Sequence, residues 1–123
     1  MERTLLITDD SLLIRALIKD VAVQCGWQIV GEAGDGRAAV DAYRSLKPTA
    51  VTLDLVMPGC DGLHALKGIR EFDADARVLV VSAIDQPNVL KEAIRSGAAD
   101  FIVKPFDKRR LAAALEALAP VCV

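Results

Sequence analysis

The sequence has no large excess of charge of either sign and no long apolar run. Fifteen Lys and Arg residues against seventeen Asp and Glu residues give a formal net charge of −2, which excludes the strongly basic surface of a general nucleic-acid binder. No apolar stretch approaches the length of a membrane span, and the N-terminal residues lack the pattern of a secretory signal peptide. We therefore expect a cytoplasmic protein with no direct contact to nucleic acid or to a membrane.

Cysteine and histidine are also scarce. The three cysteines, Cys25, Cys60 and Cys122, are scattered and odd in number, so they match neither a zinc ligand set nor a disulfide framework. His64 is the single histidine and is expected to be a solvated surface side chain. This pattern of cysteine usage favours a reducing compartment.

Aliphatic residues make up most of the hydrophobic residues of the chain. Hydrophobic residues make up 53% of the 123 positions and aromatic residues only 4%. We therefore expect one domain with a sizeable core, with Trp27 and Tyr43 in that core or at its edge. Short segments rich in Val, Ile and Leu are typical of strands covered on both faces. The predicted strands are Thr4–Thr8, Gln28–Ala33, Ala50–Leu53, Val78–Ser82 and Asp100–Val103.

Longer stretches with helical spacing alternate with these strands. The residues that mark the five predicted helices are Leu13, Leu17 and Val21; Ala39, Tyr43 and Leu46; Leu63, Leu66 and Ile69; Val89, Ala93 and Ile94; and Leu111, Leu115 and Leu118. Because parallel strands need right-handed crossovers, this alternation predicts an α/β fold with helices on both faces of the sheet. We expect a flavodoxin-like doubly wound sheet of five parallel strands, in the order 2-1-3-4-5, with five helices. No repeat or linker interrupts residues 1–123, which we interpret as one domain.

Four of the predicted strands end in polar residues. Asp9 and Asp10 follow the first strand, Asp54 the third and Lys104 the fifth, and Ser82 ends the fourth. Clustered carboxylates repel each other, and a hard cation such as Mg²⁺ relieves that repulsion. Carboxylates, a cation, a lysine and a hydroxyl on one edge fit phosphoryl transfer, in which a carboxylate can be the nucleophile and form an aspartyl phosphate.

Four motifs make the sequence resemble a known family. "DDS", "DLVMPGCDG", "VSA" and "DFIVKPF" closely resemble the receiver domain of two-component response regulators, and most of all the single-domain, CheY-like chemotaxis regulators. The resemblance covers essentially the whole chain. It implies that Asp54 is the phosphoacceptor. It also implies that Asp10, Asp54 and the Val56 backbone carbonyl bind Mg²⁺ directly, and that Asp9 acts through bound water.

The resemblance implies further roles around the phosphoacceptor. Lys104 would pair with the phosphoryl group, and Ser82 would move toward it on activation. Phe101 occupies the position of the family's switch aromatic, and Pro105 that of a proline preceded by a cis peptide bond. Pro58 is expected to shape the loop after the phosphoacceptor.

The function implied is that of a phosphorylation-controlled signalling switch, not of an enzyme that turns over a metabolite. A sensor histidine kinase would donate the phosphoryl group, and the surface formed by the fourth helix, fifth strand and fifth helix would change in response. The partner is an unidentified output protein or a fused output domain. We expect a monomer, with a dimer through the same surface as the alternative. A pseudo-receiver that works without phosphorylation, and a receiver excised from a DNA-binding or methylesterase regulator, also stay open.

Two other interpretations are weaker. Residues 34–39, "GDGRAA", fit a dinucleotide-binding fingerprint, but they follow the second strand, so a turn with Asp35 as a helix cap is favoured. A phosphatase of the haloacid dehalogenase class would have an aspartate two residues after its nucleophile, where this sequence has Val56. An apolar residue at this position leaves the rate of aspartyl phosphate hydrolysis open.

Overall fold

The computed structural model describes residues 3–57 and 62–119, in which strands and helices alternate. The strands are β1 (Thr4–Thr8), β2 (Gln28–Ala33), β3 (Ala50–Leu53), β4 (Arg77–Ser82) and β5 (Ala98–Val103). The helices are α1 (Leu12–Gln24), α2 (Gly36–Leu46), α3 (Gly62–Phe72), α4 (Pro87–Arg95) and α5 (Lys108–Leu118).

All strand pairs are parallel, and the sheet order is β2-β1-β3-β4-β5. The predicted fold class is therefore confirmed. Successive strand side chains point to opposite faces of a sheet, so β1 sends Leu6 to one face and Leu5 and Ile7 to the other. The first face is covered by α2, α3 and α4, and the second by α1 and α5. Trp27 and Tyr43 are buried, as expected.

The boundaries of two strands differ from the prediction. β4 begins one residue earlier, at Arg77, because Arg77 pairs with Ala50 of β3. β5 begins two residues earlier, at Ala98, because Ala98 pairs with Val78 across the sheet. Both residues take part in strand pairing although neither type by itself marks a strand.

The buried face of α1 also differs from the predicted stripe. Ile18, Val21 and Ala22 are buried, whereas Leu13 is 70% exposed. The apolar residues of α1 cover more than one face of the helix. Their spacing therefore predicts a helix but does not specify which of these residues pack against the sheet. Two other residues that mark the predicted helices, Leu46 and Ile94, lie near the ends of their helices and are partly exposed.

Side chains cap several helices at their first turn. Ser11 Oγ accepts from the Ile14 N–H (3.3 Å) at the start of α1, and Asp35 Oδ1 accepts from the Ala38 N–H (2.8 Å) at the start of α2. The segment "GDGRAA" is thus a turn followed by a capped helix. Cys25 has no disulfide partner within the described residues, and Cys60 and Cys122 lie outside them. No helix in the described ranges has the length and apolar character needed to cross a membrane.

Candidate functional site

The polar residues at the carboxyl edge of the sheet are held by backbone hydrogen bonds to neighbouring strands. The Asp54 N–H donates to the Thr8 carbonyl (3.1 Å), and the Asp9 N–H donates to the carbonyl of the last residue of β2 (3.0 Å). The Lys104 N–H donates to the Ser82 carbonyl (2.8 Å). Each backbone is therefore fixed by the sheet itself, so the side chains project from a rigid edge.

Three carboxylates form a cluster at this edge. One oxygen each of Asp9, Asp10 and Asp54 lies within 4.8 Å of the others. Asp9 and Asp54 are buried, whereas Asp10 is exposed. Two buried carboxylates so close together can both stay ionised only if positive charge lies nearby, because neither can disperse its charge into water.

Lys104 supplies that charge from the end of β5. Its Nζ donates to Asp9 Oδ2 (2.7 Å) and to Asp54 Oδ2 (2.9 Å), and its own side chain is 18% exposed. Burial acts to lower the pKa of Lys104, but hydrogen bonds to both carboxylates and their negative charges outweigh it, so the pKa is raised. Burial raises the pKa of Asp9, and the bonds from Lys104 and the Ser11 N–H only partly oppose that rise. The buried acids thus hold the lysine as an ammonium ion.

The donor set of the cluster fits a hard divalent cation. The second oxygens of the buried pair accept backbone N–H groups, Asp9 Oδ1 from Ser11 (2.9 Å) and Asp54 Oδ1 from Val56 (3.0 Å). A carboxylate has about four lone-pair positions, so each retains acceptor capacity beyond these bonds. Oxygen ligands from one or two carboxylates, completed by water, are what Mg²⁺ prefers.

The other predicted site residues lie around this cluster. Ser82 is buried at the end of β4, and its Oγ accepts from the Ile84 N–H (3.4 Å). The side chain of Val56 is 56% exposed. The Lys104–Pro105 peptide bond is cis. Pro58 lies outside the described residues.

Phe101 lies within β5, the strand at one edge of the sheet, two residues before the strand ends. Its half-buried ring packs against the core on the α2, α3 and α4 face, and it lines a surface groove with Leu90 and Ile94 of α4. The structure thus places Phe101 beside α4.

Two residues at the site were not singled out by sequence reasoning. Arg15 Nη1 donates to the backbone carbonyl of Asp9 (2.6 Å), from the first turns of α1. Gly62 begins α3 directly against the peptide that follows Asp54, so closely that a Cβ there would overlap the Asp54 carbonyl oxygen and the Leu55 Cα. A glycine eight positions after Asp54, within "DLVMPGCDG", was the available signal for this close approach.

Two buried carboxylates bridged by a lysine, with a third carboxylate beside them, at the carboxyl edge of a flavodoxin-like sheet define the receiver class of signalling proteins. The family model of the response regulator receiver domain matches residues 5–116. This chain belongs to that family.

Individual relatives narrow the class. The chemotaxis protein CheY of Thermotoga maritima is 44% identical over 115 residues, which cover 94% of this chain and 96% of the relative. CheY of Bacillus subtilis matches with the same identity and coverage. Among solved structures, the CheX–CheY–BeF3–Mg complex from Borrelia burgdorferi superposes with a TM-score of 0.91 at 34% identity, covering 94% of this chain and 87% of that chain. The chain is thus similar to chemotaxis receivers of two-component signalling.

Family membership has two consequences for the site. CheY-like receiver domains are signalling switches and not enzymes in the usual sense. Receiver domains bind Mg²⁺ at an acidic site, and the cluster of Asp9, Asp10 and Asp54 has the composition of such a site.

Proposed function

We propose that this protein is a switch controlled by Mg²⁺-dependent phosphorylation of Asp54, with a sensor histidine kinase as the donor. The observation that carries the proposal is the ammonium of Lys104 between Asp9 and Asp54, at 2.7 and 2.9 Å, in a buried acid cluster. A carboxylate held beside a fixed cation on a rigid edge is arranged to accept a negatively charged phosphoryl group.

The proposed reaction is a displacement at phosphorus. A carboxylate oxygen of Asp54 forms a bond to phosphorus while the bond from phosphorus to the donor breaks, and the electron pair of that bond leaves with the donor. The donor is the phosphohistidine of the kinase or a small acyl phosphate. The ammonium of Lys104 then pairs with the negatively charged phosphoryl oxygens. Catalysis comes from positioning the reactants and neutralising this charge.

The proposed magnesium ligands are those implied by the family resemblance. Asp10, Asp54 and the Val56 backbone carbonyl would hold the ion directly, and Asp9 through water. Mg²⁺ would supply charge neutralisation for the phosphoryl oxygens. The carboxylate cluster of this chain and the magnesium in the CheX–CheY complex from Borrelia burgdorferi support this assignment.

The proposed output runs from Ser82 to Phe101. Ser82 moves to bond the phosphoryl group, the half-buried ring of Phe101 turns into the space that is vacated, and the surface of α4, β5 and α5 is reshaped. An output protein or fused output domain reads that surface. We further propose that residues 1–123 act as one cytoplasmic receiver, which is a monomer, with a dimer through α4, β5 and α5 as the alternative.

Labelling with acetyl phosphate and Mg²⁺, followed by intact-mass spectrometry, tests the proposal. The wild type is expected to gain one phosphoryl group and Asp54→Asn none, because the amide is a poor nucleophile. Asp20→Asn, which changes an exposed aspartate of α1, is the matched control and should label like the wild type. Full labelling of Asp54→Asn would reject Asp54 as the acceptor, and an unlabelled wild type would favour a pseudo-receiver.

A further inference from the structure

Arg15 ties together three elements at the end of β1. Its Nη1 donates to the backbone carbonyl of Asp9 (2.6 Å), and its Nε donates to Glu32 Oε1 of β2 (3.1 Å). The side chain of Arg15 is 19% exposed and that of Glu32 36% exposed. The guanidinium therefore spans from α1 to β2 across the segment that carries the first two acids.

The carbonyl that Arg15 contacts belongs to the peptide unit between Asp9 and Asp10. A peptide unit is planar, so a hydrogen bond to its oxygen fixes the orientation of the whole unit and of the Cα that follows. Asp9 is also held by the Ser11 N–H and by Lys104. The carboxylate of Asp10 is exposed, so its direction depends on the peptide that carries it.

We propose that Arg15 is a positioning residue for cation binding: it orients the Asp9–Asp10 peptide so that Asp10 can share a Mg²⁺ ion with Asp54. This inference rests on the proposed function, because it presupposes that the acid cluster binds Mg²⁺. Groups behind metal ligands commonly act in this way, and their loss weakens metal binding although they never touch the ion.

The sign of the effect separates positioning from simple electrostatics. Arg15 is a cation beside a cation site, so removing its charge alone would tighten Mg²⁺ binding by reducing repulsion. Removing a positioning bond has the opposite effect, because Asp10 then loses more conformational entropy when it reaches the ion. A weaker affinity after loss of Arg15 therefore cannot come from its charge.

The test compares Mg²⁺ dissociation constants by isothermal titration calorimetry on unphosphorylated protein, well below its melting temperature. Arg15→Met keeps an apolar side chain but removes the hydrogen-bond donors. Arg15→Ala introduces the residue with the highest helix propensity. We therefore expect at least one of the two variants to fold. Both are expected to bind Mg²⁺ about 10-fold more weakly than the wild type, the lower end of the range for groups that support metal ligands.

Arg3 provides a matched control at the opposite end of β1. It also joins a backbone carbonyl, that of Cys25 (2.8 Å), to a glutamate, Glu116 (2.9 Å). Arg3→Met therefore removes the same kinds of bonds without touching the acid cluster. We expect this variant to lose stability but to keep the wild-type affinity for Mg²⁺.

The outcomes separate this inference from the proposed function. If wild type binds Mg²⁺ and the Arg15 variants bind it equally or more tightly, the positioning role is wrong while the switch stands. Equal weakening by Arg3→Met would also overturn it, because general destabilisation would then explain the loss. A wild type that binds no Mg²⁺ would contradict the proposed function itself, and the role of Arg15 with it.

Discussion

The charge of Lys104 balances two buried carboxylates, so the stability of the acid cluster depends on this one side chain. Asp9 and Asp54 each accept from its Nζ, and both are buried. Removing one partner of a buried ion pair costs far more than the pair contributes, because the remaining charge is left without compensation in a poorly solvated place. Here two charges would be left.

Lys104→Met is therefore expected to lower the free energy of unfolding at neutral pH, without Mg²⁺, by about 3–5 kcal/mol. Added Mg²⁺ should restore part of the loss, because a cation that binds only the folded state stabilises it. Urea denaturation with and without Mg²⁺ measures both effects. The control is Lys67→Met, which removes an exposed ion pair with Glu92 (3.2 Å) and should cost less than about 1 kcal/mol. Equal losses in the two variants would contradict the role given to Lys104.

At the residue scale, strand ends were easier to predict from sequence than helix side chains. Polar residues directly after apolar strands reach the same edge of a parallel sheet, so the sequence alone predicts that Asp9, Asp54 and Lys104 lie close together. The contact of Arg15 with the Asp9 carbonyl depends on the direction in which α1 leaves the edge. The contact of Gly62 with the Asp54 peptide depends likewise on how α3 approaches, and sequence spacing contains neither direction.

At the scale of elements, Tyr43 joins α2 to the loop that follows α3. Its buried hydroxyl donates to Asp73 Oδ2 (2.8 Å), and its ring meets that of Phe72 edge-on with centroids 6.3 Å apart. Tyr43→Phe is expected to lower the free energy of unfolding by about 1–2 kcal/mol at neutral pH, because the Asp73 carboxylate loses a donor. Urea denaturation of the two proteins measures this difference.

The same pair gives a pH dependence with a defined sign. Burial raises the pKa of Tyr43, and the hydrogen bond to Asp73 and its charge raise it further, above the usual value of 10.0. The folded state thus holds the phenolic proton more tightly, so this stabilisation is complete below about pH 10 and is lost as the pH rises beyond it. The stability difference between wild type and Tyr43→Phe should shrink between about pH 9 and pH 11. A constant difference over that range would refute the assignment.

The turn between α4 and β5 depends on a glycine packed under an arginine. Gly97 has φ of +106°, and a Cβ there would overlap Arg70 Nε, while Arg70 Nη1 donates to the Ala76 carbonyl (3.0 Å). Gly97→Ala should cost about 1–2 kcal/mol for the left-handed backbone and about 1 kcal/mol more if Arg70 loses its hydrogen bond.

Gly26 is the matched control for this turn. It also has a positive φ, +85°, but nothing lies within 4 Å of the position that a Cβ would take. Gly26→Ala should therefore show the backbone cost alone, and thermal or urea unfolding should place it between wild type and Gly97→Ala. If the two alanine variants are equally stable, Arg70 does not contribute to the cost.

The elements themselves were largely predictable, and their boundaries and orientations less so. Five aliphatic strands and five helical stretches alternate in the sequence, and right-handed crossovers then leave few topologies. The early start of β5 at Ala98 was not predictable from alanine. It follows from the turn at Gly97, which brings Ala98 beside Val78.

At the scale of the whole molecule, the sheet separates two cores, and Phe101 belongs to only one of them. Phe101 packs on the α4 side, whereas Phe106, five residues later, packs against the core under α1 and α5. The proposed signal, from Asp54 to the surface of α4, β5 and α5, should therefore depend on the first ring and not on the second.

Amide NMR with beryllofluoride, a mimic of the phosphoryl group, tests this dependence. In wild type, shifts are expected near the acid cluster and across α4, β5 and α5. Phe101→Ala should keep the shifts near the cluster and lose most of those in α4, because no ring would then fill the space that Ser82 is proposed to leave. Phe106→Ala should retain the wild-type pattern. Shifts centred on α2 and α3 instead would show that the proposed output surface is wrong.

The backbone hydrogen bonds of Asp9, Asp54 and Lys104 limit which parts of the molecule can move when the site changes. Their N–H groups pair with neighbouring strands at 3.0, 3.1 and 2.8 Å. Such amides exchange with deuterium only when strands separate, and in a small domain that opening approaches global unfolding. The frame that holds the acids consequently lasts as long as the fold itself. We therefore expect structural changes in the folded molecule to be carried by rotating side chains, which move in picoseconds to nanoseconds, and by helices that slide or tilt in microseconds to milliseconds.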